Sequence, residues 1–183
     1  MNNIWSKTIL QVYRYLPRVA SAYDKMINSR ALGSQFSNSL NMATQSAMSV
    51  ANTIIDLSQR KITLINMKLI TENCLKEIDR DLAKLLILKY VNGKKSVEIA
   101  QKMNVCLRTF FRKLNSALES FSLSLSRLGY NNDRLNDMLK DEKWILAVHN
   151  HVERAELSLI DNDELKFKVE SSVVREIKSV GLI

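Results

Sequence analysis

Arg108, Arg112 and Asn115 are the residues of this chain whose types and spacing point most directly to chemistry. They are three or four positions apart, so on a helix they project from one side. An arginine fork pairs with guanine in the major groove, and an asparagine amide pairs with adenine. Thr109, Lys113 and Ser116 lie among them, and such side chains grip phosphate oxygens. No acid interrupts this face until Glu119. Lys94, Lys95 and Ser96, a short way upstream, add two cations and a hydroxyl. The chemistry on offer is contact with a polyanion.

Catalysis has less to draw on. His149-Asn150-His151 offers two imidazoles, common metal ligands and general bases. Side chains two apart on a helix point about 200° from each other, so this pair cannot share one metal. No other histidine exists to complete a site, and Cys74 and Cys106 lack metal-ligand spacing. Neither a glycine-rich phosphate loop nor a nucleophile elbow occurs. Asp79, Asp81 and Glu98 stand near expected helix starts, where acids serve capping and the helix dipole. Met26, Met48, Met67 and Met138 fall at core spacing. The expectation is no catalytic residue, no metal and no cofactor.

The elements that must position Arg108 and Arg112 form a helix-turn-helix within residues 79–128. Leu82, Leu85, Leu86, Leu88 and Tyr90 make an apolar run that Asn92-Gly93 stops. Ser96 is suited to N-cap a short helix running through Met103. Asn104 accepts the left-handed backbone of a tight turn. A recognition helix near residues 106–120 follows. Leu107, Phe110, Leu114, Ala117 and Phe121 share its buried face, which turns the arginines outward.

Charge distribution agrees with this placement. Residues 1–78 carry nine basic and four acidic side chains, residues 79–128 carry ten and four, and residues 129–183 carry eight and eleven. The net charge of +8 is therefore concentrated, at +6, in the helix-turn-helix segment. A basic module is the electrostatic footprint of a polyanion partner.

The same segment resembles the C-terminal helix-turn-helix of bacterial RNA polymerase sigma factors. Those run as a leucine-rich helix, Tyr-x-x-Gly, Glu-Ile-Ala, a short turn and a second helix. The matching residues are Tyr90-Val91-Asn92-Gly93, Glu98-Ile99-Ala100, Val105, Thr109, Phe110, Leu114 and Ala117. The run Arg108 to Lys113 is also similar to phage late-gene activators of the ArpU and RinA type. Cys106 stands where those families usually place a serine N-cap, and Asn104 where glycine is common. The resemblance implies double-stranded DNA as a partner and raises RNA polymerase as a second. Residues 1–78 do not match the polymerase-binding domain of sigma factors.

Composition sets the frame for the rest. With 46% hydrophobic and 25% charged residues, the 183-residue chain lies in the globular range. Four glycines and one proline favour long helices over a turn-rich sheet. The expected class is all-α: a helical hairpin over 1–78, the helix-turn-helix over 79–128 and an acidic helical region over 129–183.

In the hairpin, Ile9, Val12, Leu16, Val19, Tyr23 and Met26 form a stripe on a helix from about Ile4 to Ser29. Pro17 either kinks it or opens a second helix. Residues 31–41 read as a loop. From Thr44, a second stripe of Met48, Ala51, Ile55, Ile62, Ile65 and Leu69 runs on toward Ile78, with Ser58 out of register. The two stripes pack on each other or, as a coiled coil, on a second chain in a homodimer. After Gly129, Leu135, Met138 and Leu139 lead into Trp144, Ile145, Val148 and Val152. Asp161 or Asn162 caps a last helix through Val169, Val173, Val174, Ile177 and Val180.

Lys84 and Lys89 break the longest apolar stretch, no membrane span or secretory leader is visible, and two lone cysteines suit a reducing cytoplasm as small core residues. The function expected is a cytoplasmic, sequence-specific DNA-binding transcription regulator. The alternatives are an architectural DNA-binding protein, and a helical interaction or structural protein that reads no DNA sequence.

Overall fold

A computed structural model describes residues 3–36 and 47–158, with residues 171, 173–175 and 178 near the C-terminus. Among the described residues the fold is all-α, without strands. The helices are α1 (Ile4–Val12), α2 (Leu16–Phe36), α3 (Ala47–Glu77), α4 (Arg80–Leu86), α5 (Ser96–Lys102), α6 (Leu107–Arg127), α7 (Asn132–Leu139) and α8 (Lys143–Ser158). No described helix is long and apolar enough to cross a membrane.

The first stripe is buried as its spacing dictates: Ile9, Val12, Leu16, Val19 and Tyr23 are in the core, and Met26 packs at its edge. A 3₁₀ turn over Tyr13–Tyr15 separates α1 from α2. Pro17 then falls in the first turn of α2, where a missing N–H costs no intrahelical bond. The expected loop at 31–41 is corrected in part, because α2 continues through Phe36. The remainder of that loop lies outside the described residues.

α2 and α3 pack as an antiparallel pair. Tyr13 donates to Glu72 at 2.9 Å, while Lys61 donates to Asp24 at 2.6 Å, so contacts advance along α2 as they retreat along α3. The buried face of α3 is Leu57, Leu64, Met67, Ile70, Thr71 and Cys74. Met48, Ala51, Ile55, Ile62, Ile65 and Leu69 are all exposed, so of the two packings expected for that stripe, the one against the first stripe does not occur. At 100° per residue the two sets lie on roughly opposite sides of one helix. α3 carries two apolar faces, and α2 covers one.

α1 is enclosed, contacting α8, α6 and α3. α8 delivers Trp144, Ile145, Val148 and Val152 to the core, and α7 delivers Leu135 and Leu139. His149 stacks on Trp5 with ring centroids 4.1 Å apart, and its Nδ1 is 3.4 Å from Thr8 Oγ1. It serves as a packing residue. Burial holds its imidazole below the ordinary histidine value, with the Glu153 carboxylate opposing. Val173 is helical and buried. Asp161, Asn162, Val169, Ile177 and Val180 lie outside the described residues.

Candidate nucleic-acid interface

The helix that carries Arg108 and Arg112 is held by the helices before it. Asp79 caps α4, accepting from the backbone N–H of Asp81 at 2.9 Å and of Leu82 at 3.2 Å. Leu85 and Leu86 bury, and a π-helical turn over Ile87–Val91 carries the chain to Gly93, whose φ of 62° suits glycine. Lys89 lies in that turn, 9% exposed, and its ammonium donates to Ser96 Oγ at 2.9 Å. Ser96 therefore is not the N-cap of α5. Lys95, extended at φ −68° and ψ 143°, takes the cap position, and the Ser96 hydroxyl accepts from a buried cation that needs a partner.

The turn between α5 and α6 has the geometry expected for Asn104. Its φ is 52°, its N–H donates to the Gln101 carbonyl at 3.0 Å, and the Val105 N–H donates to the Ala100 carbonyl at 3.0 Å. This is the double hydrogen bond of a Schellman cap, completed by asparagine in place of glycine. α6 ends the same way at Gly129, φ 80°. Ile99 and Ala100 of α5 bury, with α5 packed on α6.

Phe110, Leu114, Ala117, Leu118, Phe121 and Leu125 bury one side of α6. Arg108, Arg112, Asn115 and Ser116 are exposed on the other. At 100° per residue Arg108, Arg112 and Asn115 fall within an arc of about 60°, with Ser116 beside them. Lys113 is exposed but about 140° from Arg108, off the arginine strip that it was expected to share and closer to the buried Ala117 side. Thr109 is half-buried, its hydroxyl 3.3 Å from Cys106 Sγ. Lys94 and Lys95 are exposed just ahead of α5. Glu119, also exposed, falls in line with the arginines a further turn on and closes the uncharged-to-basic strip.

Three features depart from the sequence reading. Leu107 is 44% exposed instead of buried, because the first residue of a helix has no preceding turn to pack back upon. Phe111 is 48% exposed beside Asn115, an apolar side chain on the outward face. Only its position one turn before Asn115 could have signalled it. Cys106 is exposed, not a core thiol, and forms the N-cap position of α6. The Thr109 hydroxyl, and after it the Thr109 and Arg108 backbone amides, hold its thiol below the usual cysteine range. Cys74 is buried, and burial pushes its thiol up.

No protein family, curated protein or solved structure matches this chain. The candidate interface therefore stands on its geometry alone: a helix closed at its C-terminus by Gly129, basic and amide side chains in one outward strip, and the opposite face fixed in the core.

Proposed function

We propose that the chain is a cytoplasmic, sequence-specific DNA-binding transcription regulator of the sigma-factor-like or phage-activator-like kind, and not an enzyme. α6 enters the major groove of double-stranded DNA. The observation that carries the reading is the outward strip Arg108–Arg112–Asn115 on a helix whose other face is fully buried. A groove that admits one helix demands that division. Arg108 and Arg112 address base edges, because the first turns of a recognition helix meet the bases. Phe111 and Leu107 flank the strip as apolar contacts for thymine methyl groups. Lys94, Lys95 and Lys113 grip phosphates as flexible point charges, with Ser96, Thr109 and Ser116 as hydroxyl donors at its margins. RNA polymerase is a second partner of this reading.

A helical interaction protein that reads no DNA sequence is the second reading, favoured by the exposed apolar row on α3. Titration of the full chain against genomic fragments and random duplex, at several salt concentrations, separates the two. Selective binding with a steep salt slope supports the regulator. Equal, weak binding to all duplexes, or none, overturns it.

A further inference from the structure

The outward face of α3 has a composition and period that ordinary solvated helices lack. Met48, Ile55, Ile62 and Leu69 recur at seven-residue intervals, each between 50% and 68% exposed, and Ile65 is exposed beside them. A straight helix turns such a row by about 20° per heptad, so a slight supercoil keeps it facing one partner over three intervals. Alongside runs a second exposed row at the same period: Asn52, Gln59, Asn66 and Asn73. These amides each carry donors and an acceptor.

We propose that this face is a self-association surface whose occupant is a second copy of the chain. A twofold interface sets one patch against itself, so a row of like charge would repel while a row of amides is self-complementary. From Met48 to Leu69 the apolar row contains no charge, and the amide row contains none. Lys61 is engaged with Asp24 at 2.6 Å and Lys68 with Glu72 at 2.7 Å, while Lys76 is exposed one heptad beyond Leu69 and Asp56 is exposed beside the amide row. Lys61 and Lys68 therefore present no unbalanced charge to an approaching copy, and the two exposed groups, Asp56 and Lys76, are of opposite sign. A second copy also supplies, by identity, the matching heptad period that the row requires. The opposite face of α3 is held against α2, so pairing requires no rearrangement of the core. The surface does not depend on DNA, although a pair would present two α6 helices to two half-sites.

The test is sedimentation equilibrium of the full chain at micromolar concentrations, without DNA. A dimer is expected for the wild type. Ile62→Glu and Leu69→Glu, each at an exposed position, should raise the monomer–dimer midpoint by about tenfold or more through a buried unpaired charge. Circular dichroism should show unchanged helix content in both. Asn66→Asp should weaken the dimer at neutral pH and recover at acid pH, where the new carboxyl is neutral. A monomeric wild type overturns the proposal, as does a dimer indifferent to all three substitutions. Wild-type chain that binds neutral lipid vesicles and stays monomeric also overturns it, assigning the row to a membrane surface.

Discussion

The Glu142 carboxylate, 1% exposed, receives the Arg60 guanidinium at 3.0 Å across 82 residues of chain. Tyr23 donates to the same carboxylate at 2.9 Å, and Trp144 Nε1 donates at 3.0 Å. One acid thus joins α2, α3 and the start of α8, satisfying its oxygens where water cannot reach. The network ties down α3, against which both α1 and α6 pack.

Removing that acid leaves a guanidinium, a phenol and an indole without their shared acceptor. Glu142→Ala should destabilise the fold by about 3 kcal/mol, at the low end for a buried pair because Arg60 keeps partial access to water. Urea denaturation measures it, and a loss within the range of a surface substitution would show that the network adds nothing.

DNA affinity should divide between bases and phosphates by residue. Arg108→Ala and Arg112→Ala should each cost about 1–3 kcal/mol on the selected site and little on random duplex. Lys94→Ala and Lys95→Ala should weaken both equally and reduce the salt slope by about one per lost contact. A folded double arginine variant that binds its site at wild-type affinity removes α6 from the readout.

Phe111 offers a probe of thymine. Replacing thymine by uracil in the bound site deletes only the methyl group, and each buried methyl should be worth about 0.8 kcal/mol. Phe111→Ala should bind the two duplexes alike. Competition gel shifts on paired sites read the difference, and the idea fails if the wild type does not distinguish them.

Alkylation should separate the two cysteines. Cys106 is exposed with its thiol held low by Thr109, whereas Cys74 is buried with its thiol pushed up. Iodoacetamide should modify Cys106 in the native protein and Cys74 only after unfolding. Saturating duplex DNA should slow the Cys106 reaction, followed by peptide mass mapping. An unchanged Cys106 rate would place the nucleic acid away from the first turn of α6.

Acid should destabilise the fold through His149. Its folded pKa lies below its unfolded one because burial disfavours the imidazolium. The unfolded chain therefore takes up the proton first, and stability falls as pH drops through about 6.5 until the folded pKa is reached. His149→Phe keeps a ring against Trp5 and removes the titration. Thermal midpoints measured across this range should show a flatter pH dependence for that variant than for the wild type.

Local pattern made the helices legible, along with the stop at Gly93, the left-handed Asn104 and the split between the Phe110 and Arg108 sides of α6. Each depends on residues within a few positions of one another, where backbone sterics and helical period act directly. Period alone did not say which apolar stripe of α3 meets α2, since both satisfy it. The structure buries Leu64 and Met67 and leaves Ile62 and Leu69 in water. Nor did local pattern show that Lys89 would claim the Ser96 hydroxyl, that Phe111 would face outward, or that Glu142 would find Arg60. Those outcomes are decided by which surfaces meet when distant helices exclude water together. A buried charge takes whatever partner the assembled core brings within reach.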